Sequence, residues 1–137
     1  MNIQLTVTGT GQGLYNVTDE VRTAVASTGV DEGLAHVFIR HTSASLTIQE
    51  NADPKVLRDM ETFINQLVPE DPSHYTHNDE GPDDMPAHIK SCLTQTHLTI
   101  PVMSGRLALG TWQGIFVWEH RHARHQRELV VSVQKLA

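Results

Sequence analysis

Residues 41–53 read HTSASLTIQENAD, a stretch that combines a short apolar alternation with polar side chains at both ends. Leu46 and Ile48 alternate with polar residues, which predicts an extended strand with one face turned to a core. A histidine and three small hydroxyl residues crowd its start, and a Glu-Asn-Ala-Asp sequence closes it. A strand that served only to fill a hydrophobic core would not need so many polar side chains at its ends. We therefore interpret the stretch as one wall of a functional site.

The chain has 137 residues, which is long enough to bury one hydrophobic core without disulfides. We predict a single domain over residues 1–137. No apolar run approaches the ~20 residues that a membrane helix needs, and the first residues lack the features of a signal peptide. We therefore expect a cytoplasmic protein without a membrane partner. The only cysteine, Cys92, excludes an intrachain disulfide and is expected to face the core.

Charge and histidine content narrow the function classes. Ten basic and sixteen acidic residues give a net charge of −6, which is the wrong sign for binding nucleic acid through bulk electrostatics. We therefore expect no nucleic-acid partner. Nine histidines are the unusual feature of the composition, because imidazole is the commonest protein ligand for transition metals and titrates near neutral pH.

Apolar periodicity predicts strands mixed with helices, and the short turns between the C-terminal strands favour antiparallel pairing. Helices are expected after Thr18 and Asp53, each acting as N-cap, and from Pro86 onwards. The segment 34–41 is apolar on both faces, as is typical of a central strand. Further strands are predicted near residues 3–7, 14–17, 98–102, 107–111, 115–118 and 129–133.

Residues 69–86, PEDPSHYTHNDEGPDDMP, hold four prolines and six carboxylates and predict a loop. Loops of this length are uncommon in compact domains unless they are functional or disordered. Composition favours disorder, whereas the predicted helix at Pro86 would hold the far end of the loop in place. We favour an ordered loop that contributes to a site.

Three histidines from separate elements form the first metal-site hypothesis: His41, His77 and His88. Catalytic metal sites commonly use three protein ligands and leave one position open, and imidazoles suit zinc or a similar first-row ion. Mg²⁺ held together with substrate phosphates is a further option. The spacing matches no HExxH-type motif, so structural histidines remain an alternative. His120 and His122 form a competing pair.

Other polar residues supply candidates for catalysis and substrate binding. Carboxylates could orient ligating histidines, hold Mg²⁺ with substrate phosphates or act as general acids and bases, namely Glu50, Asp79, Asp83, Asp84 and Glu119. Each could equally be solvated or capping, and Asp53 is either a helix cap or a functional residue. Hydroxyls and cations could bind phosphate, namely Ser43, Ser45, Lys90, Arg106 and Arg121. No P-loop or dinucleotide motif is present.

Three segments resemble the YjbQ-like family, also called secondary thiamine-phosphate synthases: HTSASLTIQEN, HNDEGPDDMPAHIKS and GRLALGTWQGIFVWEHR. The resemblance extends from the first predicted strand to the last. It implies a compact α+β fold, mostly an antiparallel β-sheet sandwich or pseudobarrel with two to three helices. It also implies assembly as a homotrimer with clefts near the subunit contacts. The recurring histidines of the family fall on His41, His77 and His88. Further matching positions are Asn51, Asp53, Asp79, Asp84, Trp112, Gln113, Glu119 and Arg121.

The resemblance also implies an activity: joining a pyrimidine diphosphate to a thiazole phosphate with release of pyrophosphate. On this hypothesis the three histidines hold a divalent metal, and small phosphorylated metabolites are the substrates. The implied catalytic residues are Glu50, Asn51, Asp53, Asp79 and Glu119, and the implied substrate contacts are Ser43, Ser45, Lys90, Trp112, Gln113 and Arg121. A metal-dependent hydrolase and a non-catalytic trimer that binds a small anion are the alternatives.

Overall fold

The computed structural model describes residues 1–137 as two curled antiparallel sheets with three helices. The larger sheet contains β1 (Asn2–Gly9), β3 (Gly33–Ile39), β5 (His97–Met103), β6 (Arg106–Leu107) and β8 (His125–Lys135), in the order β1-β8-β3-β5-β6. The smaller sheet contains β2 (Gly13–Asn16), β4 (Ala44–Glu50) and β7 (Gln113–Glu119), in the order β2-β7-β4. The helices are α1 (Thr18–Ser27), α2 (Pro54–Leu67) and α3 (Asp84–Leu93). The predicted α+β class is confirmed.

The main core joins α1 to strands of both sheets. Val21 and Val25 of α1 are buried together with Leu46 of β4 and Leu129 of β8. Burying a side chain of this size contributes roughly 1.5–3 kcal/mol. Because β3 lies between β8 and β5, both of its edges are paired, which confirms the predicted central strand. The strand covers Gly33–Ile39 and ends before His41, which the prediction had included.

β7 is buried on both faces, which explains its continuous apolar sequence. Ile115 and Val117 belong to the main core. The alternate residue Trp118 is 5% exposed, and its indole Nε1 donates to Oε2 of Glu61 on α2 at 2.7 Å. The strand is therefore enclosed between the core and the helical side of the molecule, and the loop after it leads to the candidate site.

Helix capping agrees with one prediction and corrects another. Asp53 is the N-cap of α2, and its Oδ1 accepts from the backbone N–H of Lys55 at 2.9 Å. Thr18 is not a cap, because α1 already includes it and Val17 takes the N-cap position. The Thr18 hydroxyl instead donates to Asn16 and accepts the backbone N–H of Ile115.

Three further expectations are corrected. α3 begins at Asp84 rather than Pro86, because proline is tolerated in the first turn of a helix. The predicted strand at 107–111 is reduced to Arg106–Leu107 of β6. Cys92 is exposed, because the buried face of α3 is formed by Ala87, Lys90 and Ser91. None of the helices combines the length and the apolar character that crossing a membrane requires.

Candidate metal centre

A His-Asp-His cluster forms where the acidic loop enters α3. Nε2 of His77 lies 2.8 Å from Oδ2 of Asp84, and Nε2 of His88 lies 3.2 Å from the same oxygen. One ligand atom from each of the three residues lies within 4.8 Å of the others, as a shared metal ion requires. The Asp84 side chain is 3% exposed, whereas those of His77 and His88 are 43% and 32% exposed. The cluster thus has a buried carboxylate and an open side.

The ring of His88 is oriented by a backbone carbonyl. Its Nδ1 donates to the carbonyl oxygen of Thr42 at 2.9 Å, so in the neutral ring the lone pair lies on Nε2. That lone pair faces Oδ2 of Asp84, which also carries negative charge. A proton or a metal cation must lie between the two atoms for this contact to be attractive. A metal-ligating histidine whose other nitrogen donates to a carbonyl has this arrangement.

Arg121 holds the Asp84 carboxylate in place. Its Nη1 donates to Oδ1 of Asp84 at 2.8 Å and its Nε donates to Oδ2 of Asp83 at 3.0 Å. Its Nη2 donates to the carbonyl oxygen of Glu80 at 3.0 Å. All of these acceptors lie on the segment that carries the cluster. The guanidinium therefore fixes Oδ1 and leaves Oδ2 of Asp84 facing the two histidines.

The local electrostatics favour a cation. The hydrogen bond to Asp84 raises the pKa of His77, and the charges of Glu80 and Asp79 act in the same direction. Burial alone would raise the pKa of Asp84, but hydrogen bonding from His77 and the positive charges of His88 and Arg121 lower it overall. The carboxylate is thus ionised near neutral pH and available to a metal ion.

His41 does not belong to the cluster, which corrects the predicted set of three histidines for this structure. Nε2 of His41 accepts the backbone N–H of Glu128 at 2.8 Å, so the proton of the neutral ring lies on Nδ1. Nδ1 faces Nη1 of Arg127 at 3.4 Å. Burial and then the Arg127 charge lower the pKa of His41. Both ring nitrogens of His41 face protein groups, and Asp84 is the third member of the cluster instead.

Glu119 forms a buried ion pair and is not free to act on a substrate. It is fully buried, and Arg127 donates to its two oxygens through Nε at 2.7 Å and Nη2 at 2.6 Å. Oε2 of Glu119 also accepts the backbone N–H groups of His120 and Arg121. The carboxylate is therefore fully engaged, and it fixes the start of the chain segment that carries Arg121.

Three predicted phosphate contacts are buried within the chain. Lys90 is fully buried, and its Nζ donates to Oδ1 of Asn65 at 2.6 Å. Ser45 is fully buried and shares a hydrogen bond of 2.9 Å with Nε2 of His120. Ser43 is 9% exposed, and its carbonyl accepts from Arg127. In the single chain these side chains cannot reach a ligand without a rearrangement.

Most of the remaining predicted residues lie near the start of β7, whereas the His-Asp-His cluster lies near its end. β7 begins at Gln113 beside Trp112 and ends at Glu119 near Arg121, so the two ends are about 20 Å apart at ~3.3 Å per residue. Asn51 donates to the carbonyls of Thr111 and Gln113. Glu50 accepts the backbone N–H of Asp53. Only Asp79, which is exposed, lies near the His-Asp-His cluster.

The competing pair His120 and His122 does not form a site. His120 is fully buried, and burial together with the charges of Lys90 and Arg127 lowers its pKa to about 3. His122 is on the surface, where its Nε2 contacts both oxygens of Glu70 at 2.7 and 2.9 Å. This contact ties the beginning of the acidic loop to the β7–β8 connection, as the prediction of an ordered loop requires.

Asp84 is the residue whose role was underestimated from the sequence. The sequence places it among carboxylates that could orient a ligating histidine, hold Mg²⁺ with substrate phosphates or act as a general acid or base. The structure places its Oδ2 in the His-Asp-His cluster itself. The available signal is its position four residues before His88, a spacing that puts both side chains on one face of a helix that includes both residues. Beginning the helix at Pro86 obscured this relation.

An α+β half-barrel with a partly exposed His-Asp-His cluster is the class of protein that the fold and the site define. A family model described as "UPF0047 protein YjbQ-like" matches residues 3–136. The chain belongs to this UPF0047, YjbQ-like family. It is 56% identical over 129 residues to UPF0047 protein sll1880 of Synechocystis, covering 94% of this chain and 88% of that relative.

Other relatives extend the family match. The chain is 46% identical over 131 residues to UPF0047 protein YjbQ of Escherichia coli O157:H7, covering 95% of this chain and 94% of that relative. A crystal structure of an uncharacterized YjbQ/UPF0047 family protein from Clostridium acetobutylicum has a TM-score of 0.88 at 34% identity. That match covers 96% of this chain and 99% of the other. The predicted family is therefore confirmed.

Proposed function

We propose that His77, His88 and Asp84 bind a divalent transition metal, with zinc or a similar first-row ion preferred, and that the protein is a metal-dependent enzyme. The observation that carries this proposal is the convergence of Nε2 of His77, Nε2 of His88 and Oδ2 of Asp84 within 4.8 Å of one another, an arrangement that a shared metal ion would satisfy. Two imidazoles and a carboxylate are a typical ligand set for such ions. Mg²⁺ shared with substrate phosphates is a weaker option, because Mg²⁺ prefers oxygen ligands.

The protein side chains have defined tasks at this site. A bound metal of this type would supply Lewis-acid stabilisation of negative charge or an activated water. Thr42 orients His88 through its carbonyl, and Arg121 orients Asp84 through Oδ1. Asp79 and Glu80 are exposed beside His77 and add negative potential. The negative charges of Asp79 and Glu80 favour a substrate or an intermediate that gains positive charge at the cluster.

We propose, as the first reaction to test, transfer of the pyrimidine-methyl group of a pyrimidine diphosphate to a thiazole phosphate with release of pyrophosphate. In that displacement the thiazole nitrogen forms a bond to the pyrimidine methylene carbon, and pyrophosphate leaves with the electron pair of the broken C–O bond. The product ring is a cationic thiazolium. The acidic residues near His77 support this choice, since negative side chains stabilise a cation that forms between them.

A metal-dependent hydrolase is the second candidate, supported by the exposure of His77 and His88, which leaves the cluster open to water. A non-catalytic protein that binds a small anion or metabolite is the third. Assembly as a homotrimer and a cytoplasmic location belong to the same proposal. Product analysis separates the candidates, because a binding protein would show ligand-dependent melting without turnover.

The proposal is tested by metal analysis of the purified protein before and after chelation, together with His88→Ala and Asp84→Asn variants. We expect one metal ion per chain in the wild type, loss of metal in both variants, and loss of any transfer or hydrolysis activity in parallel. His97→Gln is the matched control, because this exposed histidine on β5 lies outside the cluster. Full metal content in His88→Ala would overturn the metal site, and full activity after chelation would overturn the enzymatic role.

A further inference from the structure

Two arginine side chains line one cavity between α1 and the hairpin formed by β5 and β6. The cavity has a volume of about 400 Å³, within the range of small-molecule sites. Arg22 comes from α1 and Arg106 from β6, and the other lining residues are Val25, Ala26, Gly105 and Leu107. None of these residues belongs to the His-Asp-His cluster. The cavity is therefore a second concave surface, separate from the proposed metal site.

The hairpin that carries Arg106 is held in a fixed conformation. Ser104 and Gly105 connect β5 to β6, and both have positive φ angles, 51° and 76°, as a two-residue turn between paired strands favours. The backbone N–H of Gly105 donates to the carbonyl oxygen of Asp31 at 2.9 Å, and that of Ser104 donates to Oε1 of Glu32 at 3.1 Å. The backbone of Arg106 is thus in place before a ligand binds, which lowers the entropy cost of binding.

The protein itself neutralises little of the charge of these two guanidinium groups. Of the two, only Arg22 has a carboxylate partner, Asp19, whose Oδ1 lies 3.6 Å from Nη1 of Arg22. The Asp19 side chain is 92% exposed, and ion pairs of exposed side chains are weak. Beside Arg106, the carboxylate of Glu32 is engaged with the backbone N–H of Ser104. On a chain with a net charge of −6, two such cations in one cavity form a local site for an anion.

The rest of the cavity lining is apolar, which narrows the class of anion. Val25 is 1% exposed and belongs to the main core, and Leu107 packs against that core. Ala26 lies one turn after Arg22 on the same face of α1. Two guanidinium groups suit a phosphate dianion, whose oxygens accept several charge-assisted hydrogen bonds at once. An organic group attached to the phosphate would contact the apolar lining.

We propose that this cavity binds a small organic phosphate. The two arginines hold the phosphate group, and the organic group contacts the apolar lining formed by Val25, Ala26 and Leu107. The sequence offers Arg106 as a candidate for binding phosphate, and the structure places it in this cavity rather than in the His-Asp-His cluster. The proposal is independent of the metal-dependent function, because the two sites share no residue.

The test titrates the purified full chain with phenyl phosphate by isothermal titration calorimetry. The titration is repeated after chelator treatment, so that binding at the His-Asp-His cluster can be subtracted. Phenyl phosphate should saturate one site per chain in the chelator-treated protein. Arg22→Gln and Arg106→Gln should each weaken this binding about 10-fold or more, because each removes hydrogen bonds between charged groups. Arg58→Gln is the matched control, since Arg58 is an exposed arginine of α2 that does not line the cavity. Circular dichroism checks that each variant folds.

Two further ligands and a blocking variant test the class of ligand. Inorganic phosphate lacks the organic group, and benzoate carries the ring with a single charge, so each should bind about 10-fold more weakly than phenyl phosphate. Ala26→Asp places a carboxylate at an exposed position of the cavity and should abolish binding of phenyl phosphate. No saturable binding to the chelator-treated wild type, or unchanged affinity in either arginine variant or in Ala26→Asp, would overturn the proposal. Equal affinity for benzoate or inorganic phosphate would overturn it as well.

Discussion

Arg121 and Asp84 form the contact that determines the orientation of the cluster: Nη1 of Arg121 donates to Oδ1 of Asp84 at 2.8 Å, and Oδ2 faces His77 and His88. The guanidinium of Arg121 thereby holds Oδ1 of Asp84, and Oδ2 remains available to a metal ion. Replacing Arg121 tests whether this orientation matters, because the substitution leaves all three proposed ligands in place.

Arg121→Gln should lower the affinity of the site for zinc by about 10- to 100-fold, the usual effect of removing a group that orients a metal ligand. Competition with a chromophoric chelator measures this affinity. Arg124→Gln is the matched control, since Arg124 is exposed in the same β7–β8 connection and has the same charge. An affinity in Arg121→Gln equal to that of the control would show that Asp84 needs no such support.

His41→Ala should retain the full metal content and lose stability. The substitution leaves the backbone N–H of Glu128 without its acceptor, a loss of about 1–3 kcal/mol for a group shielded from water. Metal analysis and urea unfolding of the same preparation measure both quantities. Loss of metal in this variant would restore His41 to the ligand set and exclude the geometry described for its ring.

Breaking the buried Glu119 and Arg127 pair should be strongly destabilising. Arg127→Met leaves an uncompensated carboxylate in the core, at a cost of about 3–5 kcal/mol. Adding Glu119→Gln removes that charge, so the double variant should be less destabilised than the sum of the two single changes. Urea unfolding of the wild type and the three variants completes the cycle, and additive effects would contradict a direct pairing.

Acid should destabilise the fold through His120. Its pKa is lowered to about 3 in the folded protein, whereas the unfolded chain binds a proton near 6.5. Below pH 6.5 the unfolded state therefore takes up a proton that the folded state does not. The free energy of unfolding decreases as the pH is lowered from 6.5 to about 3. Between pH 6.5 and 5 this amounts to about 2 kcal/mol.

His120→Gln provides the comparison, because glutamine keeps a polar group near Ser45 but does not titrate. Urea unfolding at several pH values should give a shallower decline for this variant than for the wild type between pH 6.5 and 5. Parallel pH profiles would mean that other groups cause the acid sensitivity. The absolute stability of the variant does not enter the test, since only the slope is compared.

Local sequence patterns predicted those parts of the fold that depend on neighbouring residues. Alternation located β1 and β4, a continuous apolar run located β7, and the Asp-Pro pair located the start of α2. The resemblance to the family supplied the overall class. The prediction of a strand at 107–111 was wrong. Only Arg106–Leu107 pairs with β5, and the few alternating residues of this stretch do not indicate where the pairing ends.

The site was predicted only in part, because some of its residues are positioned by contacts between segments that are distant in the sequence. His77 and His88 lie close together along the chain, so their meeting requires only a local turn. The environment of His41 depends instead on its placement beside β8, where Arg127 and Glu128 contact its ring. The burial of Lys90 likewise depends on how α3 packs beside Asn65 of α2. Contacts between distant segments leave no periodic signal in the sequence.

All three residues of the cluster fall within residues 77–88, and two of them share the first turns of α3. The site can thus open by local unfolding of one short segment while both sheets remain intact. Metal occupancy should then be coupled to the cleavage rate of that segment, so that a protease acting near Gly81 reports loading of the site. Amide hydrogen exchange should slow in the same residues and leave β3 and β8 unchanged.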